Sequence, residues 1–184
     1  DTRELTEEEL AEIEKKYDEG AATRTVAPGF GKFLRYVALT FAVYHYLTAG
    51  FALPTDYWHM GWHLSGLFIL TYALYPIVKT KGAFDLNTGR MRLGGVPYFD
   101  VLLMVLGVAA SLYLGLAWRG ISWLGINEMT FRMGNPNAFD LVFGGILIIL
   151  VLDIARRTLG WVMPLIICVI ISYALFGPYF PGLL

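Results

Sequence analysis

Cysteine occurs once in the 184 residues, at Cys168 inside an apolar run. An internal disulfide is therefore excluded, and a metal site would need further ligands. Cys168 reads as a small residue facing lipid or core. Histidine is also scarce, with three in the chain. No phosphate-cradling glycine loop, zinc motif or nucleophile elbow is found. The expectation is a chain with no catalytic residues, no cofactor site and no metal site, and so not an enzyme.

Acidic charge is almost missing beyond the start. Nine of the fifteen acids (Asp1, Glu4, Glu7, Glu8, Glu9, Glu12, Glu14, Asp18 and Glu19) lie in the first twenty residues, which leaves six acids against eleven basic residues in the other 164. These basic residues flank apolar blocks and do not gather into a patch. That pattern excludes a nucleic-acid surface and suits anionic lipid headgroups. No positive leader segment is expected either: the first apolar block begins near Lys32, after the acidic stretch, and is expected to be a retained helix.

What the chain has in excess is apolar sequence. It is 57% hydrophobic, above the 45–50% or so of soluble domains, and the excess lies in blocks. The expected class is all-α: a polytopic transmembrane bundle of about five helices, preceded by a short amphipathic helix. The sequence divides into residues 1–31, an acidic cytoplasmic helix with its linker, and residues 32–184, the membrane part. Thr6-Glu7-Glu8-Glu9 fits a capping box, and Leu10, Ile13 and Tyr17 share one face, which predicts a helix over Glu7–Glu19. A crossing needs about 20 mostly apolar residues. Candidates run from Lys32 to Leu53, Asp56 to Val78, Tyr98 to Trp118, Ala138 to Ala155 and Trp161 to Phe176. The connection from Arg119 to Asn137 is expected to lie along the interface as a short helix. The last two apolar runs are two crossings, or one crossing and a re-entrant piece.

The basic residues set an orientation. Lys32, Arg35, Lys79, Lys81, Arg90, Arg92, Arg156 and Arg157 fall on one side if every helix crosses. The N-terminus is then cytoplasmic and Leu184 lies outside. Trp58, Trp62, Trp118 and Trp123 fall at the outer interface and Trp161 at the inner one, as an aromatic belt requires.

Few side chains invite a site. His45, His59 and His63 permit a bis-histidine haem between helices one and two; interfacial packing and hydrogen bonding is the plainer reading. Asp153 is the deepest carboxylate, three and four residues before Arg156 and Arg157. A structural ion pair on one helix face and a coupling site for protons or ions are the two readings, the first favoured. Asp100 and Asp140 sit in first turns and read as caps. Gly107, Ser111 and Gly115 recur every four residues and predict close helix packing. Gly144 and Gly145 offer a second close-approach point, within the bundle or against a partner.

Several strings carry a family resemblance: Tyr44-His45-Tyr46-Leu47-Thr48-Ala49-Gly50-Phe51 with Leu53-Pro54, His63-Leu64, and Leu74-Tyr75-Pro76. The most distinctive are Leu152-Asp153-Ile154-Ala155-Arg156-Arg157-Thr158-Leu159-Gly160-Trp161 and Tyr173-Ala174-Leu175-Phe176-Gly177-Pro178-Tyr179-Phe180-Pro181-Gly182. Through them, the chain resembles the small-subunit region of fused permeases of tripartite ATP-independent periplasmic (TRAP) transporters, in the branch that uses TAXI-type binding proteins. The resemblance implies a static scaffold in the bacterial inner membrane that braces an elevator-type large permease subunit, with a periplasmic binding protein delivering organic acids. It leaves open whether the large part is a separate polypeptide or follows Leu184. The expected function is thus a non-catalytic scaffold of a secondary transporter, with a haem-bearing anchor of a redox enzyme as the rival.

Overall fold

The computed structural model describes residues 6, 23–24, 26–51, 56–77 and 92–179. The expected helix at Glu7–Glu19, the Pro54-Thr55 break, the basic loop up to Arg90 and the end of the chain from Phe180 lie outside these residues. Among the described residues the chain is all-α apart from one short hairpin. The elements are α1 (Pro28–Phe51), α2 (Asp56–Leu74), β1 (Arg92–Leu93), β2 (Val96–Pro97), α3 (Tyr98–Ala117), α4 (Ala138–Leu159) and α5 (Val162–Phe176). Of these helices, α3 and α4 are long and apolar enough to cross a membrane. α5 is apolar but has 15 residues, about 22 Å at 1.5 Å per residue, short of the roughly 30 Å hydrocarbon layer.

Local chemistry sets most helix ends. Pro28 opens α1, where its missing N–H costs nothing and its fixed φ fits the first turn; the helix thus starts four residues before the expected Lys32. α2 stops at Leu74, not at Val78, because Pro76 disfavours the helical region for Tyr75. α4 starts with a capping box: the Asn137 side chain accepts from the Asp140 N–H while the Asp140 carboxylate accepts from the Asn137 N–H. It runs to Leu159, four residues past the expected Ala155, so Arg156 and Arg157 form its last turn, where cations complement the helix dipole. Gly160, at φ +81°, ends it. Two residues, Gly160 and Trp161, then separate α4 from α5.

The hairpin pairs Arg92 with Pro97 and Leu93 with Val96. Its two turn residues, Gly94 and Gly95, have φ of 59° and 95°, the signs a type I′ turn requires. The Gly94 carbonyl accepts the Ala27 N–H at 2.9 Å, and a Cβ on Gly94 would lie 2.6 Å from the Phe30 ring. The hairpin thereby ties the start of α1 to the start of α3. Val96 is fully buried with Leu34 of α1 and Ala73 of α2.

The core lies along α2. Phe68 and Tyr72 pack with Leu150 and Ile154 of α4. A second cluster joins Tyr113 and Ala117 of α3 to Ile121 and Ile126 of the α3–α4 connection. That connection is not the single short helix expected for Arg119–Asn137. It is two 3-10 turns, Ser122–Leu124 and Met129–Arg132, folded back by an Ile121–Ile126 bridge with Gly125 at φ +65°. Burying the two isoleucines against α3 draws the segment inward.

Helices α2 and α3 meet through small residues. Ser111 is fully buried, and a Cβ on Gly61 would lie 2.5 Å from the Ser111 carbonyl oxygen. A Cβ on Gly107 would lie 2.5 Å from the Phe68 ring, and one on Gly115 3.0 Å from the Trp58 ring. The stripe Gly107–Ser111–Gly115 thus faces α2, and α2 answers with Gly61 and Ser65. Ser65 and Ser111 each donate to the carbonyl four residues earlier, both at 2.7 Å, so neither hydroxyl is orphaned. Gly144 and Gly145 differ: a Cβ on either meets nothing within 4 Å among the described residues. The expected close approach at this pair does not occur within the described chain, because these two backbone positions face no neighbouring element.

Candidate functional site

The C-terminal end of α2 presents carbonyls that no helical N–H satisfies. Three arginines from two distant segments take them. Arg24 donates to the Tyr72 carbonyl through Nη1 at 3.4 Å, and its backbone N–H donates to Leu74 at 2.6 Å. Arg157 donates to the Tyr75 carbonyl at 3.1 Å, and Arg156 to that of Ile77 at 3.3 Å. Cations at a helix C-terminus are favourable, but three in one place need counter-charges.

Two carboxylates supply them, in a chain. Arg24 Nη2 meets Asp100 Oδ2 at 2.5 Å, and Asp100 Oδ1 meets Arg157 Nη1 at 2.8 Å. Arg157 Nε meets Asp153 Oδ2 at 2.7 Å, and Asp153 Oδ1 meets Arg156 Nη2 at 2.7 Å. The Asp100 side chain is 2% exposed and that of Arg157 is fully buried, whereas Asp153 is 21% exposed. The Arg157 guanidinium carbon lies 4.7 Å from the centre of the Tyr72 ring, and that of Arg156 5.3 Å from Trp161. Arg157 Nη2 is buried with no hydrogen-bond partner among the described residues; beyond its carboxylates and the Tyr75 carbonyl, this guanidinium has the Tyr72 ring face. The cluster joins α2, α3, α4 and the segment before α1.

Asp153 therefore lies between Arg156 and Arg157, the arrangement its spacing predicts. Asp100 is corrected. It sits in the first turn of α3, yet the N-cap there is Pro97, which makes no side-chain cap. Both Asp100 oxygens are held by arginines 76 and 57 residues away in sequence. Asp140 does cap its helix, and it also accepts from Tyr113 Oη at 2.7 Å and pairs with Arg132. Neither Arg24 nor Gly61 figures among the residues singled out in the sequence. Gly61 and Ser65, four apart, carried a readable packing signal. Arg24 carried none, since a lone arginine in a linker has no periodic context.

The histidines converge between α1 and α2. His45 Nδ1 lies 2.8 Å from the Phe41 carbonyl oxygen and His63 Nδ1 2.8 Å from His45 Nε2. His59 Nδ1 lies 3.1 Å from Tyr44 Oη. The His45 ring centre is 5.3 Å from that of His59 and 4.9 Å from that of His63. A carbonyl only accepts, so His45 Nδ1 carries a proton; in the neutral ring, its Nε2 then accepts from His63 Nδ1–H. This contact counts against haem between His45 and His63, because two nitrogens sharing a proton at 2.8 Å leave no room for an iron and its macrocycle. Trp62 stacks on Phe41 with ring centres 5.9 Å apart, beside this group.

On α4 and α5 the surface is apolar. Leu147, Ile148, Val151, Leu152, Ile167 and Ile171 line a groove of about 240 Å³ between the two helices. Leu165, Val169, Ile170 and Leu175 of α5 are each 60% exposed or more. Cys168 is exposed on the same helix.

The chain matches no family model, no curated protein and no solved structure.

Proposed function

We propose that the chain is a scaffold subunit or domain of a TRAP-type secondary transporter importing organic acids. On this reading the chain is a multi-pass protein of about five helices in the bacterial inner membrane, with the N-terminus cytoplasmic and the C-terminus periplasmic. Its partners are an elevator-type large permease subunit, separate or fused after Leu184, a periplasmic TAXI-type binding protein and membrane lipids. The observation that carries the reading is the state of the carboxylates. An ion-coupling site needs a carboxylate free to exchange a proton or cation, and Asp100, Asp140 and Asp153 are each held by arginine. With these three carboxylates paired internally and apolar side chains exposed on α5, the described residues offer other proteins apolar helix surface. The resemblance carried by the sequence strings is what points to the large permease subunit as partner. The haem-anchor reading has the histidines in its favour and their direct contact against it.

Reconstitution in liposomes tests the proposal. Uptake of a labelled organic acid down an ion gradient is expected with this chain, the large subunit and the binding protein together, and not with this chain alone. Uptake by this chain alone would overturn the scaffold reading.

A further inference from the structure

Two of the three histidines share a geometry that hydrogen bonding inside the protein does not use up. His59 and His63 lie four residues apart on α2, hence on one helix face. Each has its Nδ1 occupied from α1: His63 by His45 Nε2 at 2.8 Å, His59 by Tyr44 Oη at 3.1 Å. The Nε2 of each has no hydrogen-bond partner among the described residues. His63 is exposed and His59 partly so.

Imidazoles that bind metal through one nitrogen donate from the other to a fixed acceptor, which sets the tautomer and turns the ring. The tautomers here run the right way. The Phe41 carbonyl fixes the proton on His45 Nδ1, neutral His45 then accepts at Nε2, and neutral His63 must donate from Nδ1. Its Nε2 is left as a bare lone pair. His59 reaches the same state when its Nδ1–H donates to Tyr44 Oη. Both rings also lie against the His45 ring, at 5.3 and 4.9 Å between centres. Two histidines at i and i+4 on a helix are a spacing that binds zinc from one face. Among the described residues no group of three or more His, Cys, Asp or Glu is set to hold an ion, so the pair supplies two ligands and water completes the shell.

We propose that His59 and His63 form a two-nitrogen site for a borderline transition-metal dication, Zn2+ or Cu2+, with His45 and Tyr44 as positioning residues that hold the two rings. Imidazole suits these ions, whereas Mg2+ and Ca2+ require oxygen ligands. The site is independent of the transport reading. Its location on α2 makes the bound ion a stiffener of the α1–α2 contact, through the two Nδ1 bonds.

The test uses the full chain without a histidine tag, purified in detergent. Zn2+ is titrated calorimetrically near neutral pH, and Cu2+ binding is followed by electron paramagnetic resonance. The expected result is one ion per chain, with hyperfine splitting from two nitrogens in the copper spectrum. His45→Gln is expected to weaken binding by about 10–100-fold, with both nitrogens still coupled. The double variant His59→Ala/His63→Ala is expected to abolish the nitrogen coupling, and a thermal unfolding curve shows whether that variant still folds. Mg2+ should not compete. The copper spectrum of the unmodified protein decides on its own: a spectrum with oxygen ligands alone, as the acidic first twenty residues would give, overturns the proposal. Nitrogen coupling that survives the double variant overturns it as well.

Discussion

Replacing Asp100 with asparagine is the sharpest perturbation of the buried charge chain. The change keeps the side-chain shape and one carbonyl oxygen, but removes the charge that faces two guanidiniums at 2.5 and 2.8 Å. Arg157 is then left fully buried against Asp153 alone, with its Nη2 already lacking a hydrogen-bond partner among the described residues. Removing one partner of a buried pair costs about 3–5 kcal/mol, because the other charge stays desolvated. Asp153→Asn should cost less, about 1.5–3 kcal/mol for lost charged hydrogen bonds. Its carboxylate is 21% exposed, Arg156 is equally open to water or headgroups, and Arg157 keeps Asp100. At about 2–4 °C per kcal/mol for a chain of this size, the midpoints should fall by roughly 6–20 °C and 3–12 °C respectively. Thermal unfolding followed by tryptophan fluorescence in detergent gives the order, and inactivation half-lives give it if unfolding is irreversible. The double variant Asp100→Asn/Arg157→Gln should lose less than the sum of its singles, since they share one interaction. A loss for Asp100→Asn that is smaller than that for Asp153→Asn would refute the assignment of Asp100 as the centre of the cluster. In the transporter assembly proposed above, Asp153→Asn should leave ion dependence unchanged; altered coupling in a stable variant would show that Asp153 does more than hold two arginines.

Two further outcomes check the packing and the orientation. Gly107→Leu and Gly61→Leu should each destabilise the isolated chain by about 1–3 kcal/mol or more through overpacking, read as a lower unfolding midpoint. Gly144→Leu should leave that midpoint within about 0.5 kcal/mol and should disturb only association with a partner. A Gly144 variant as unstable as the Gly107 one would mean that α4 meets something the described residues do not include. Single cysteines in the Gly82–Gly95 and Gly120–Asn135 segments, in a Cys168→Ala background, should be labelled by an impermeant thiol reagent on intact cells at the second segment only; the reverse pattern would invert the proposed topology.

The helices were legible in the sequence because their causes are local. Apolar blocks act within a turn or two and place the helices, but hydropathy alone overlooks the local stops at Pro76 and Gly160 and puts the ends at Val78 and Ala155 in place of Leu74 and Leu159. The ends misjudged were those where local signals competed. Arg156 and Arg157 read as a polar turn, yet a helix C-terminus favours cations, and α4 absorbs them. The α3–α4 connection is expected from the sequence as one short helix, but glycines at positive φ, Gly120 and Gly125 among them, let it fold Ile121 and Ile126 back onto α3. At the charge cluster, the Asp153 pairs were readable as i+3 and i+4 contacts on one helix. The bonds from Asp100 to Arg24 and Arg157 were not, since pairing across 76 and 57 residues leaves no periodic trace. The same holds for the histidines: three residues in two helices reveal their contact only once α1 and α2 are side by side.

Chain synthesis runs from the N-terminus, and on the membrane reading proposed above the order in which the charges appear matters for entry into lipid. Arg24 is made 76 residues before Asp100, so the carboxylate meets a waiting cation as soon as α3 is complete. Asp153 is made only three and four residues before Arg156 and Arg157 on the same helix, so α4 carries its own counter-ions. Neither acid has to wait, exposed and unpaired, for a later helix to arrive. When α4 then docks, Arg157 adds Asp100 to a carboxylate it already holds. The two halves of the cluster can form separately and fuse, so insertion of this chain need not expose a lone carboxylate at any stage.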